Sequence, residues 1–141
     1  MKAAVAALVL GALVSGCFLG TPSFTVEAST HPQIVMRVFD QSGLVTGARP
    51  ASTSSTFLNH DATADPDKSE LSVRWMGGVC HLGPAISVSG TAQALHVFVQ
   101  PDADAGLPQF GDCPAVGIVL GVTLTLSVPV EQDAVQFVVD Q

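Results

Sequence analysis

Between Ile118 and Val128 the side chains alternate without a break. Ile118, Leu120, Val122, Leu124, Leu126 and Val128 fall on one side, and Val119, Gly121, Thr123, Thr125 and Ser127 on the other. A repeat of two is the spacing of a β-strand, whose successive side chains point to opposite faces; a helix would bring its apolar residues back after three and four. The same alternation runs through Phe24-Val26-Ala28, Ile34-Met36-Val38, Leu71-Val73-Trp75, Ile86-Val88, Leu95-Val97-Val99 and Val135-Phe137-Val139. Turn formers separate the runs at Ser42-Gly43, Gly47 to Pro50, Asp65-Pro66-Asp67, Gly77-Gly78, Gly83-Pro84, Pro101 to Pro108 and Pro129. Ser89-Gly90-Thr91-Ala92, between two alternating runs, predicts a hairpin. The polar stretch from Ala51 to Ser69 reads as loop, with room for one edge strand around Thr56-Phe57-Leu58. Seven or eight short antiparallel strands at this spacing predict a β-sandwich or a small barrel.

The first residues belong to a different regime. Lys2 gives a positive start, Ala3 to Val14 is a short apolar core, and small Ser15 and Gly16 precede Cys17. About 14 apolar residues are too few for a helix that crosses the roughly 20-residue hydrocarbon span. The tetrapeptide Val14-Ser15-Gly16-Cys17 resembles the lipobox of secreted bacterial lipoproteins. That resemblance implies removal of residues 1–16 as a signal peptide and acylation of Cys17. It also implies a lipidated tether over 17–23 and a single domain over 24–141, held by its lipid on the extracytoplasmic side of the cell membrane.

Removing the signal leaves 141 − 16 = 125 residues, enough for one domain with a core and too few for two. Arg37, Arg49, Lys68 and Arg74 then stand against twelve carboxylates, a net charge near 4 − 12 = −8. Four scattered cations do not make the basic surface that phosphate neutralisation requires, so nucleic acid is excluded as a partner class. With Cys17 committed to lipid, Cys80 and Cys113 allow one pairing. An oxidising compartment preserves it, and closing that loop stabilises the fold by about 3 to 4 kcal/mol in the chain-entropy model. A metal-binding or redox thiol pair would need further ligands or a Cys-x-x-Cys spacing, and the sequence has neither.

An immunoglobulin domain also carries a disulfide and a tryptophan, with the tryptophan about a dozen residues after the first cysteine. Here Trp75 precedes Cys80, so the likeness stops at architecture and Trp75 is expected in the core. The expected fold is therefore an all-β antiparallel sandwich, immunoglobulin-like in architecture, with one disulfide. A looser resemblance rests on Val38 to Gly47, Trp75 to Cys80, and Cys113 to Ile118 followed by Thr123 to Leu126. These phrases are similar to recurring segments of uncharacterised secreted lipoproteins of high-GC bacteria. The resemblance implies that both cysteines belong to one structural element, and it carries no activity or binding residue.

No catalytic or metal-ligating constellation emerges from the spacing. Asp102-Ala-Asp-Ala-Gly106 begins like a calcium loop, but Leu107 and Cys113 occupy the places of its required glycine and glutamate. Asp61, Asp65, Asp67 and Glu70 would offer oxygen ligands to a hard cation if their loop folded back on itself, but carboxylates among Ala, Thr and Pro read as a solvated loop. His31, His60, His81 and His96 lack any spacing that aims two imidazoles at one metal, and each is expected at the surface. There is no Gly-x-Ser-x-Gly elbow, and Gly77-Gly78 lacks the Lys and Ser/Thr of a phosphate loop. No cofactor, metal site or enzymatic activity is expected.

The remaining signal lies on the strand faces turned away from the core. Val35 and Phe39 flank Arg37, and Phe98 lies beside His96, where a solvated face should be mostly polar. If these strands are neighbours, the five residues form an apolar patch rimmed by cations, a surface for an envelope protein or a small ligand. Two rivals belong to other classes. An envelope hydrolase or metal-dependent enzyme would gather His96, Asp112 or His81 in a cleft, and a protease inhibitor would present the Pro101 to Cys113 loop.

Overall fold

The computed structural model describes residues 24–52, 60–78, 83–101 and 117–140. These hold nine strands: β1 (Phe24–Glu27), β2 (Val35–Asp40), β3 (Val45–Pro50), β4 (Asp61–Asp65), β5 (Glu70–Gly78), β6 (Ala85–Thr91), β7 (Ala94–Gln100), β8 (Gly117–Leu126) and β9 (Val135–Val139). Single 3₁₀ turns lie at Pro66–Lys68 and Gln132–Ala134, and no α-helix occurs among the described residues. The strands form two sheets, one ordered β1-β2-β6-β7-β9 and the other β3-β8-β5-β4.

The all-β class is as the alternation predicts, and the bulky side of each repeat faces inward. Met36, Val38, Ile86, Val88, Leu95, Val97 and Val99 from the first sheet meet Leu71, Val73, Trp75, Leu120, Val122 and Leu124 from the second, all buried. Trp75 is fully enclosed, and among the described residues its indole N–H has no acceptor. At the sides, β1 lies near β3 and β4 near β9, which partly closes the layer between the sheets.

The pairing departs from an all-antiparallel sandwich. β2 runs parallel to β6, and β7 parallel to β9. The cause is the chain path: after β2 it spends three strands in the other sheet before returning as β6, and after β7 it crosses to β8 before returning as β9. A strand that comes back through the opposite layer arrives in the direction in which it left. Gly47 to Pro50 is part of edge strand β3, with a bulge between Val45 and Gly47, where the sequence predicts a turn. Asp61 to Asp65 is a strand where the sequence predicts loop. Gly77 and Gly78 end β5 opposite Ile118 and Gly117 and make no turn there. Gly77 is small for a packing reason, since a Cβ on it would lie 2.9 Å from Leu120 Cδ1. β8 stops at Leu126, before Pro129.

Side chains bind these elements together at two places, and a glycine shapes a third. The Asp40 carboxylate takes the backbone N–H groups of Ser42 (2.9 Å), Gly43 (3.1 Å) and Val45 (2.9 Å) and the Ser42 hydroxyl (2.6 Å), folding the chain from one sheet to the other. Gly90 has φ +95 in the β6–β7 hairpin, which forms where the sequence places it. Gln132 reaches the free side of β4, accepting from Ala64 N–H at 2.7 Å and donating to the Ala62 carbonyl at 2.9 Å. Its amide thus occupies the place of a neighbouring strand.

Candidate binding face

The outer face of the five-stranded sheet brings several of the expected residues into register. Phe39 on β2 stands beside Ser87 on β6, Ser87 beside Phe98 on β7, and Phe98 beside Val138 on β9. All four lie on one side of the sheet, because the residues flanking them, Val38, Ile86, Val88, Val97 and Val99, are buried on the other. Phe98 is 39% exposed and Val138 57%. Strands are spaced by about 4.8 Å, so the two phenylalanines stand about 10 Å apart with the small Ser87 between them. The result is a shallow apolar row across four strands.

Polar residues border that row on both sides. Toward one end of the strands lie Arg37 and Gln100, and toward the other Ser89, His96 and Gln136. Arg37 carries its guanidinium carbon 6.0 Å from the Phe39 ring centre, within cation–π range, and donates to the Gly83 carbonyl at 3.5 Å. Arg37 and His96 therefore sit on opposite borders of the row, Arg37 beside Phe39 and His96 beside Phe98. Val35 is paired with Glu27 on β1, about four residues along the strand from Phe39, so it lies at the margin. Val138 extends the row, and its signal in the sequence is an apolar residue at a position of the repeat that should be polar, as Gln136 on the same face is.

The outer face of the four-stranded sheet has a different character. Arg49 pairs with Glu70 at 2.7 Å, Lys68 with Asp65 at 2.9 Å, and Arg74 lies 3.7 Å from Asp61. The hydrogen bond between Lys68 and Asp65 holds the carboxyl below its ordinary range and the ammonium above its own. Ser72 and Thr123 share a hydrogen bond of 3.1 Å. Three of the four carboxylates considered as ion ligands thus face cations. Among the described residues no group of three or more His, Cys, Asp and Glu side chains is placed to hold a metal ion.

The described histidines stand apart from one another. His31 Nδ1 is 2.8 Å from the Thr30 hydroxyl, His60 Nδ1 accepts from Met76 N–H at 3.2 Å, and His96 is exposed on the outer face of the five-stranded sheet. Cys17, Cys80, Cys113, His81, Asp112, the Asp102-to-Gly106 loop and the Thr56-Phe57-Leu58 edge strand lie outside the described residues, as do the signal and tether. Fold and face together define a two-sheet β-sandwich domain with one partly apolar outer surface. No family model, curated protein or solved structure matches the chain.

Proposed function

We propose that this chain is an exported, lipid-anchored lipoprotein of the cell envelope whose β-sandwich is a binding module. The observation that carries the binding reading is the register of Phe39, Ser87, Phe98 and Val138 across one outer face. A sheet face turned to water usually alternates to polar residues, and aromatic side chains left there in one row mark a contact surface. The partner is an envelope protein that covers the row and meets Arg37 and His96 on its two borders. The lipobox-like segment supports the anchor: Cys17 carries the lipid, and the domain works beside the membrane without entering it.

One covalent staple, Cys80 to Cys113, belongs to the same proposal. Gly78 and Gly117 are directly paired, and the cysteines fall 80 − 78 = 2 and 117 − 113 = 4 residues beyond them. Those short chain lengths support a bridge at the end of the sandwich where β5 ends and β8 begins.

The test has two arms, one for the address and one for the surface. The wild-type chain should partition into detergent and take up labelled fatty acid, while Cys17→Ser should not; equal labelling of both refutes the anchor. Phe39→Ser combined with Phe98→Ser should abolish capture of an envelope protein while shifting Tm by no more than a few degrees, since Phe98 is exposed and the half-buried Phe39 lies on the outer face, away from the core. Undiminished capture refutes the surface, and metal-dependent turnover by the purified chain would favour the hydrolase reading.

A further inference from the structure

Each sheet has two edge strands, and the four edges are treated differently. β1 is four residues long and ends in an exposed Glu27. β3 carries a bulge, Arg49 and Pro50. β4 is flanked by Asp61 and Asp65, and the Gln132 amide takes one donor and one acceptor of its free side. Shortness, charge, proline, a bulge and a covering side chain are the devices by which sheets avoid pairing with other chains. β9, five residues long, carries no charge, proline or bulge within its span, and β4 of the other sheet lies near it without pairing. β9 reads Val-Gln-Phe-Val-Val, and its pairing with β7 runs without a register shift. Among the described residues no strand pairs with its other side.

The groups left open on β9 can be named. Asp140 donates its N–H to the Val99 carbonyl at 2.8 Å. Alternate residues of a strand bond to a given neighbour, so Gln136, Val138 and Asp140 address β7, and Val135, Phe137 and Val139 aim their backbone groups outward. The Val135 N–H is already bound to the Gln132 carbonyl. Among the described residues, Val135 C=O, Phe137 N–H, Phe137 C=O, Val139 N–H and Val139 C=O remain as a linear set.

We propose that β9 pairs antiparallel with β9 of a second copy of this chain, about a two-fold axis at Phe137. In that register Phe137 exchanges both of its hydrogen bonds with Phe137 of the second copy, and each Val139 N–H meets the other copy's Val135 carbonyl. Every group in the set is used except the Val139 C=O, whose partner, the second copy's Val135 N–H, is already bound to its own Gln132 carbonyl. The charges also permit it: Asp140 faces Ala134 of the second copy, and no carboxylate meets another across the seam. The two five-stranded sheets become one sheet of ten, 5 + 5. An axis normal to the sheet turns both outer faces the same way, so the two apolar rows lie side by side on one surface. This pairing stands on the edge geometry and is independent of the anchor and of the envelope partner.

Light scattering on the full chain in excess detergent should give a dimer whose fraction rises with protein concentration. Val139→Pro removes an outward donor without touching the bonds to β7, and it should leave the chain monomeric. A cross-link removes any dependence on that variant's folding. Residue 136 of one copy lies opposite residue 138 of the other as a non-hydrogen-bonded pair, with Cα atoms about 4.5 Å apart, which a disulfide spans. Both side chains are exposed. Copies bearing Gln136→Cys mixed with copies bearing Val138→Cys should form a reducible dimer on oxidation, whereas each variant alone gives the background of the native cysteines. A monomer at every concentration, whether or not an added extended peptide occupies the edge, overturns the proposal, and so does equal cross-linking in mixed and unmixed samples.

Discussion

Asp40 and Gly90 show how much of this fold turns on single residues at the ends of strands. Four donors between Ser42 and Val45 converge on the Asp40 carboxylate, among them the N–H that opens β3. Asp40→Ala strands those donors at the point where the chain changes sheets. It should lower stability by about 2 kcal/mol in urea unfolding, since each partly enclosed group loses its partner. Two glycines separate strain from space. Gly43 has φ +72, and a Cβ added there would meet nothing within 4 Å, so Gly43→Ala should lose about 1 kcal/mol from the left-handed backbone alone. A Cβ on Gly90, at φ +95, would collide with the Ala94 carbonyl oxygen. Gly90→Ala should therefore lose clearly more, about 2 to 4 kcal/mol. Equal losses at the two sites would show that the hairpin relaxes around the added methyl.

At the scale of elements, the Gln132 contact is the clearest case of a side chain acting as a strand. Gln132→Ala should speed hydrogen exchange at the Ala64 amide by about tenfold or more, while amides of β5 hold their protection. An unchanged Ala64 rate would mean that water serves that edge equally well. The same edge explains what the sequence conceals. β4 reads Asp-Ala-Thr-Ala-Asp, so its inward residues are alanines, which give the repeat of two almost no amplitude. β3 hides behind a glycine and a proline, both tolerable at an edge and both turn signals elsewhere. Strands in the sheet interiors were legible because they bury Val, Ile and Leu in alternation. Their partners were not, because parallel neighbours depend on the path through the opposite sheet, which no local pattern records. The candidate face was half legible: Phe39 and Phe98 stand out on the wrong side of their repeats, but only the registers of β6 with β2 and β7 place them in one row. Val35 looked equivalent along the chain and lies at the margin in space.

For the whole molecule, the proposed staple and the order of assembly are linked. If Cys80 and Cys113 are joined, mass mapping without reduction should recover their peptides together, and reduction should lower Tm by several degrees; two free thiols in exported material would refute it. That bridge would tie the β5–β6 connection to the β7–β8 connection just before β8, and β8 is the strand on which the second sheet depends. It lies between β3 and β5, bonded to both, so before residues 117–126 arrive that sheet is no more than the β4–β5 pair and a detached β3. The first sheet waits as well, since β9 follows β8 in the chain. Pairings so distant along the sequence make folding slow and delay it until nearly the last residue. On the proposed export route, a chain built this way would remain extended while it is threaded head first through a translocation pore, and would become a stable object only on the far side.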